Sequence, residues 1–222
     1  MLAGEAVVAI WNGITAEGRA DFYDWHLHEH MAERVGIPGF RRGRRYIATD
    51  ATTQPEFFTL YEADSLQVLQ GQDYANRLNS PTAWTKRATQ GFRDSSRGLA
   101  RVVESRGVGP GGIMMTLRFD APPEATAAIT ALVREAATMP RVTGAHLCIA
   151  DAAASGVVTE EKKGRSDIGA PTAWIILAEA TDAAALADLL PDTALLAAGA
   201  KGAIRRGTYR FEFQRNKTGW AG

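Results

Sequence analysis

The apolar and polar positions of the chain fall into short runs whose order repeats. An apolar run predicts a strand over Glu5–Trp11, and helical spacing predicts a helix from about Ala16 to Val35. Strands follow near Arg41–Ala48 and Phe57–Ala63. A second helical stretch begins near Asp64 and is reset by Ser80-Pro81 as N-cap and first helical residue, before a strand at Leu99–Glu104. The same order then returns. A strand is predicted at Ile113–Phe119, and Pro122-Pro123 opens a helix whose Ile129, Leu132, Val133 and Ala136 share a face. Strands at Ala145–Ala150 and Ala173–Glu179 come next. A helix from Asp182, interrupted at Pro191 and stopped at Gly199, leads to a closing strand at Thr208–Phe213.

Both halves thus read β-α-β-β-α-β, and short segments align without gaps. Ile37-Pro38-Gly39-Phe40 matches Met139-Pro140-Arg141-Val142, and Leu60-Tyr61-Glu62-Ala63 matches Leu177-Ala178-Glu179-Ala180. The stretch Gly107–Gly112, with four glycines and a proline, marks the linker, giving units 1–107 and 108–222. A split unit of this kind makes a four-stranded antiparallel sheet with both helices on one face, so its other face needs a cover. The expected cover is the sister sheet of the same chain, packed face to face in an eight-stranded, barrel-like core with helices outside.

Composition narrows the function classes. Twenty-five basic residues balance 25 acidic ones, which supplies no field for a polyanion and argues against nucleic acid. With 45% apolar and 23% charged residues the chain has globular composition. The start MLAGEAVVAIWNG lacks a basic leader, and no stretch reaches the roughly 20 apolar residues of a membrane span, so a cytoplasmic protein without membrane association is expected. The lone Cys148, between Leu147 and Ile149, reads as a buried small hydrophobe. Asp151–Pro171, with its Glu160-Glu161-Lys162-Lys163 run, reads as a mobile connection.

Candidate chemistry concentrates in Trp25-His26-Leu27-His28-Glu29-His30, which holds three of the four histidines. Helical spacing puts His26 and His30 on one flank with Glu33, leaves Glu29 close by, turns His28 away, and makes Tyr23, Leu27, Met31 and Val35 a core ridge. Two imidazoles and a carboxylate are chemically adequate for a metal, but no second segment supplies further ligands, and no metal or other cofactor is expected. In Arg41-Arg42-Gly43-Arg44-Arg45, strand alternation sends Arg42, Arg44 and Tyr46 to one face and Arg41 and Arg45 to the other. Facing a cavity, the first set suits a carboxylate or enolate. His146 aligns with Arg44 and could approach the same cavity. His30, just before the Pro38-Gly39 turn, is expected at the rim of that cavity near Arg42 or Arg44.

Phe22, Trp25, His30, Pro38, Gly39, Arg44 or Arg45, and Tyr46 together resemble the EthD-type group of the dimeric α/β-barrel, ferredoxin-like superfamily. The second half is similar to a degenerate copy, keeping Pro140 but carrying Arg141 for the glycine and no histidine in its first helix. The resemblance implies a tandem form of this α+β fold enclosing a small organic molecule, and an isomerase, cyclase, lyase or cofactor-free oxygenase. On this reading His30 transfers protons, Glu29 or His26 tunes it, and Arg44 and Tyr46, with Arg42 and His146, meet the substrate. A noncatalytic binding protein and a haem protein with His146 as axial ligand are the alternatives. A small-molecule ligand is the expected partner, and a homodimer of the whole chain remains open.

Overall fold

The computed structural model describes residues 1–163, 165, 168–169 and 173–218. Eight long strands close into one antiparallel barrel, in the order β1 (Ala6–Ile14), β3 (Phe57–Ala63), β2 (Phe40–Ala48), β9 (Lys201–Asn216), β5 (Ile113–Asp120), β8 (Trp174–Ala180), β6 (Val142–Ala150) and β4 (Phe92–Gly107), with β4 returning to β1. The strands thus form one continuous closed sheet in place of the expected two facing sheets. β2 pairs with β9 from Arg42↔Asn216 to Ala48↔Tyr209, and β4 pairs with β6 from Ala100↔Ala150 to Gly107↔Gly144. Closure removes the free edges that two separate sheets would expose.

Alternation then assigns every side chain to the inside or the outside. Inside lie Val7, Ala9, Trp11, Tyr46, Phe58, Leu60, Met114, Cys148, Ile175, Leu177 and Tyr209. Burial raises the Cys148 thiol pKa, consistent with a packing role. Outside, α6 (Thr126–Ala136) seals the second half with Ile129, Val133 and Ala136 against Leu117, Leu147 and Ile176. The first half carries α1 (Arg19–Trp25), a π-helical turn His26–His30 and α2 (Met31–Gly36), then α3 (Leu66–Gln70), α4 (Gln72–Asn79) and α5 (Ala83–Ala88). After β6 comes the short α7 (Ala152–Gly156). The two-residue β7 (Ile168–Gly169) pairs in parallel with Ser95–Ser96 of β4, and α8 (Asp192–Ala197) precedes β9. No helix among the described residues is long and apolar enough to cross a membrane.

The π-helical turn corrects the predicted core ridge. An i→i+5 turn inserts one residue into the helical repeat, so the buried face changes register across His26–His30. Before it the core takes Phe22 and Trp25, and after it Met31, Arg34 and Val35, while Leu27 is left exposed. Gly39 makes the turn into β2 at φ +82, where Val68 occupies the space of a Cβ, so only glycine fits without displacement.

Barrel closure predicts the result of cutting the linker at Gly109. Fragments 1–108 and 110–222 would each carry unpaired edges, β2 and β4 in one, β6 and β9 in the other. They are expected to aggregate alone and to regain a cooperative fold when mixed. Two soluble, monomeric, independently folding halves would contradict this.

Candidate functional site

β2 divides the predicted site between the two faces of the sheet. Arg42, Arg44 and Tyr46 point into the barrel, while Gly43 lies beneath Met31 and Arg45 faces the helices. Arg44 is completely buried. Its Nε donates to Glu62 Oε1 at 3.0 Å, and its Nη1 donates to Tyr46 Oη at 2.8 Å and Glu179 Oε2 at 2.7 Å. Arg42 Nε reaches the same Glu62 oxygen at 2.7 Å. Burial opposes the Arg44 charge, but Tyr46, Glu179 and Glu62 outweigh it and keep the guanidinium ionised. Burial likewise opposes the Glu179 charge, and Arg44 above all overcomes it, holding the carboxyl at about 2.

His146 does meet Arg44's network, as alignment of the two halves suggested. Its Nε2 lies 3.4 Å from Glu179 Oε1, too long for a well-formed hydrogen bond, and its Nδ1 is 2.9 Å from Ser105 Oγ. Burial lowers its pKa. The groups around Arg44 are thus one another's partners: a charge cluster in the packed barrel interior. A haem group does not fit His146, whose ring is enclosed by Ser105, Glu179 and the residues of the barrel core.

His26 and His30 lie on the other side of the sheet, so the expected proximity of His30 to Arg42 or Arg44 is not found. The turn at Pro38-Gly39 does bring helix and strand together, but the pleat sends those two arginines through the sheet. The strand residue that faces the helix is Arg45, held between Tyr23 and Phe213, each ring 4.6 Å away, and bonded to Glu212 at 2.8 Å. Glu29 also departs from its expected role. Its carboxylate accepts from Thr82 Oγ1 at 2.6 Å and fixes the start of α5. Glu33 pairs with Arg77 of α4 rather than joining the histidines. His28 is exposed, as its helical position predicts.

Both His26 and His30 are buried and line a cavity of about 50 Å³ with Trp25, Tyr61, Thr159 and Arg97. The His30 ring lies 4.1 Å from that of Trp25 and 5.5 Å from that of His26. Burial first, then Arg45 and Arg34 for His26, and Arg34 and His26 for His30, push both pKa values well below 6.5. The rings are therefore neutral at neutral pH. Their Nδ1 atoms, the Tyr61 hydroxyl, the Thr159 hydroxyl and Arg34 Nη1 are buried and have no hydrogen-bond partner among the described residues. Burial keeps Tyr61 protonated, so its hydroxyl is available as a donor. Unsatisfied groups normally cost about 1–3 kcal/mol each, which makes the four on residues lining one cavity a feature to explain. The second half fills the corresponding space under α6 with aliphatic side chains.

The cavity's roof comes from the segment expected to be mobile. Ser155 Oγ accepts from the Leu99 amide at 3.0 Å, the Glu161 amide donates to Leu78 O at 3.2 Å, and the Glu161 carboxylate pairs with Arg34. Arg165 donates to Ser95 Oγ at 2.9 Å and sits 5.0 Å above Phe92. The described residues of 151–171 thus form a strap from the second half across the first, placing Thr159, Glu161, Lys162, Arg165 and Ile168 at the cavity. Residues 164, 166–167 and 170–171 of that expectation lie outside the described residues. Sequence reading missed this because the strap's contacts are polar, one residue at a time, and leave no periodicity. The one local signal was Asp151 as the N-cap of α7. Hydrogen exchange provides the check: the Ser155 and Glu161 amides should be protected, and exchange at the free-chain rate would remove the strap from the cavity wall.

No protein-family model matches the chain, and no curated protein matches it. Solved structures do. An anthrone oxidase-like protein superposes with TM-score 0.61 at 13% identity, over 95% of this chain and 92% of that one. A candidate monooxygenase from Fusobacterium nucleatum superposes with TM-score 0.57 at 10% identity, over 99% and 98%. A second, from Lactobacillus acidophilus, gives 0.57 at 9% identity, over 96% of each chain. At these identities the likeness is one of fold alone: the closed α+β barrel of this chain is shared with those three structures.

Proposed function

We propose that this protein is a small-molecule enzyme that moves a proton at the His26–His30 cavity, acting on an oxygenated, enolisable substrate. One observation carries the reading: two imidazoles held neutral by burial share a cavity with the Tyr61 and Thr159 hydroxyls, which have no hydrogen-bond partner among the described residues. A neutral imidazole can remove a proton from carbon beside a carbonyl. Tyr61 Oη, with Arg34 behind it, can donate to the oxygen on which charge develops. Removal of that proton is the step common to an isomerase, a cyclase, a lyase and a cofactor-free oxygenase. His30 is the base, His26 lowers its proton affinity, and Glu29 acts only at a distance, by fixing Thr82 and Thr85 beside Trp25. Arg42, Arg44, Tyr46 and His146 hold the barrel.

The EthD-type tandem reading, with units 1–107 and 108–222, belongs to the same proposal. Two pairs of equivalent positions support it. Gly39 and Arg141 have φ +82 and +66, Glu62 accepts from the Ala3 amide at 2.5 Å, and Glu179 accepts from the Gly111 amide at 3.0 Å. On this reading the first copy carries the site and the second contributes the strap.

The test is solvent-deuterium exchange at the acidic carbon of 3-oxobutanoate, read by NMR. The native protein should accelerate it, His30→Gln should not, and His28→Gln should match the native protein. Equal rates in the two variants would refute the assignment.

A further inference from the structure

The histidine cavity is too small for a whole organic substrate. At roughly 10–15 Å³ per water-sized probe, its 50 Å³ admits a head group of a few atoms. It adjoins a second depression of about 370 Å³ where α3, α4, β4 and α7 meet. Leu78, Arg97 and Thr159 line both spaces. Away from that junction the groove wall is mostly apolar, with Leu69, Ala75, Leu99, Ala154 and Val157 interrupted by Gln70, Tyr74 and Asn79. Val157 is 56% exposed at its rim.

We propose that the groove and the cavity are one bipartite ligand site, taking an anionic head at the histidines and an unbranched aliphatic tail along the groove. This rests on the cavity being the functional site. The head's charge follows from the wall. Arg97 donates to the Tyr74 hydroxyl at 2.7 Å, and Lys162 donates to the carbonyls of Ser155 and Val157 at 2.8 and 3.1 Å. Neither is in a salt bridge among the described residues, while the nearby Glu161 is engaged by Arg34. A carboxylate or enolate there gains two cations and the Tyr61 and Thr159 hydroxyls, whose oxygens are buried and unpartnered. The tail follows from continuity: Thr159 and Leu78 stand where the two spaces meet, so a chain leaving the head passes directly onto Leu99, Ala75 and Ala154. The groove's occupant is thus the rest of the ligand bound at the histidines.

Titration with butanoate, hexanoate, octanoate and decanoate, followed through the imidazole C–H resonances of the four histidines, tests this. Affinity should rise about fourfold per added methylene as the tail enters the groove. Ala75→Trp and, from the opposite wall, Ala154→Trp should flatten that dependence, with an unchanged urea-denaturation midpoint showing that each variant is folded. Equal affinity for butanoate and decanoate in the native protein, or an undiminished slope in both variants, would overturn the groove while leaving the cavity reading intact. Absence of binding at every length would overturn the bipartite site. It would not affect His30, whose role is read separately from exchange on 3-oxobutanoate.

Discussion

Replacing Arg44 by leucine should destabilise the protein by about 3–5 kcal/mol, the usual cost of removing one member of a buried ion pair. Two carboxylates, Glu62 and Glu179, face the barrel interior from β3 and β8, and Arg44 is the one cation bonded to both. Arg42 reaches Glu62 but not Glu179, so the substitution leaves Glu179 with the Gly111 amide and a neutral His146. Glu179, held at about 2 by Arg44 against its own burial, also sets a pH dependence. Its folded pKa lies below its unfolded value, so its contribution is complete above the unfolded value near 4.5 and is lost as pH falls toward 2. In Arg44→Leu the Glu179 carboxyl should take up a proton at higher pH, so the variant's deficit relative to the native protein, which shares its histidine titrations, should shrink on mild acidification. Urea denaturation at pH 7 and pH 5 measures both. Unchanged stability would mean that the cluster is not the barrel's electrostatic centre. Arg44→Lys should fall between, since a single ammonium cannot span both carboxylates.

The positions of these groups explain what could be read from the sequence and what could not. β1, β3, β5 and β8 are buried on both faces, so their apolar runs predicted β3, β5 and β8 to within one residue and β1 to within three. β4 and β9 were predicted far too short, at six residues each against 16 in the fold. Their outer stretches, Phe92–Arg97 and Lys201–Arg206, are rich in polar residues because they lie beyond the doubly covered part of the sheet. Pairing with β1 or β5, not burial, makes them strands. The histidines were found because three of four crowd six positions. Which face they occupy depended on the π-helical turn, and a one-residue register change leaves no mark in composition. Arg44 and Tyr46 were rightly paired on one face, but alternation alone could not say that this face was already satisfied by Glu62 and Glu179. Tyr61 and Thr159 were missed because a hydroxyl on a buried strand and one on a polar strap look like packing and solvent. Their lack of partners exists only in three dimensions.

The second large effect is expected at His30. His30→Gln keeps the size and polarity of the side chain on the π-helical turn but removes the base, and general-base catalysis typically supplies about 10²–10⁴-fold. A loss of that size should appear in kcat, with binding of a short carboxylate little changed, since the anion is held by Arg97, Lys162 and the Tyr61 hydroxyl. The pH profile separates this from a structural defect. Burial, with Arg34 and His26 nearby, holds the His30 pKa well below 6.5, so native activity should stay level down through pH 6.5 and fall only in more acid solution. Stability must move the same way. Folded protein with two neutral imidazoles binds fewer protons than the unfolded chain once the pH drops below about 6.5, so stability is complete above that value. It declines below it by up to about 1.4 kcal/mol per pH unit for each histidine. His30→Gln removes one of the two, and its acid denaturation should be correspondingly shallower even as its turnover disappears. A variant that loses turnover and keeps the native acid sensitivity would show that the His30 pKa is not depressed in the folded state, and the assignment of His30 as a base held neutral by burial would fall with it.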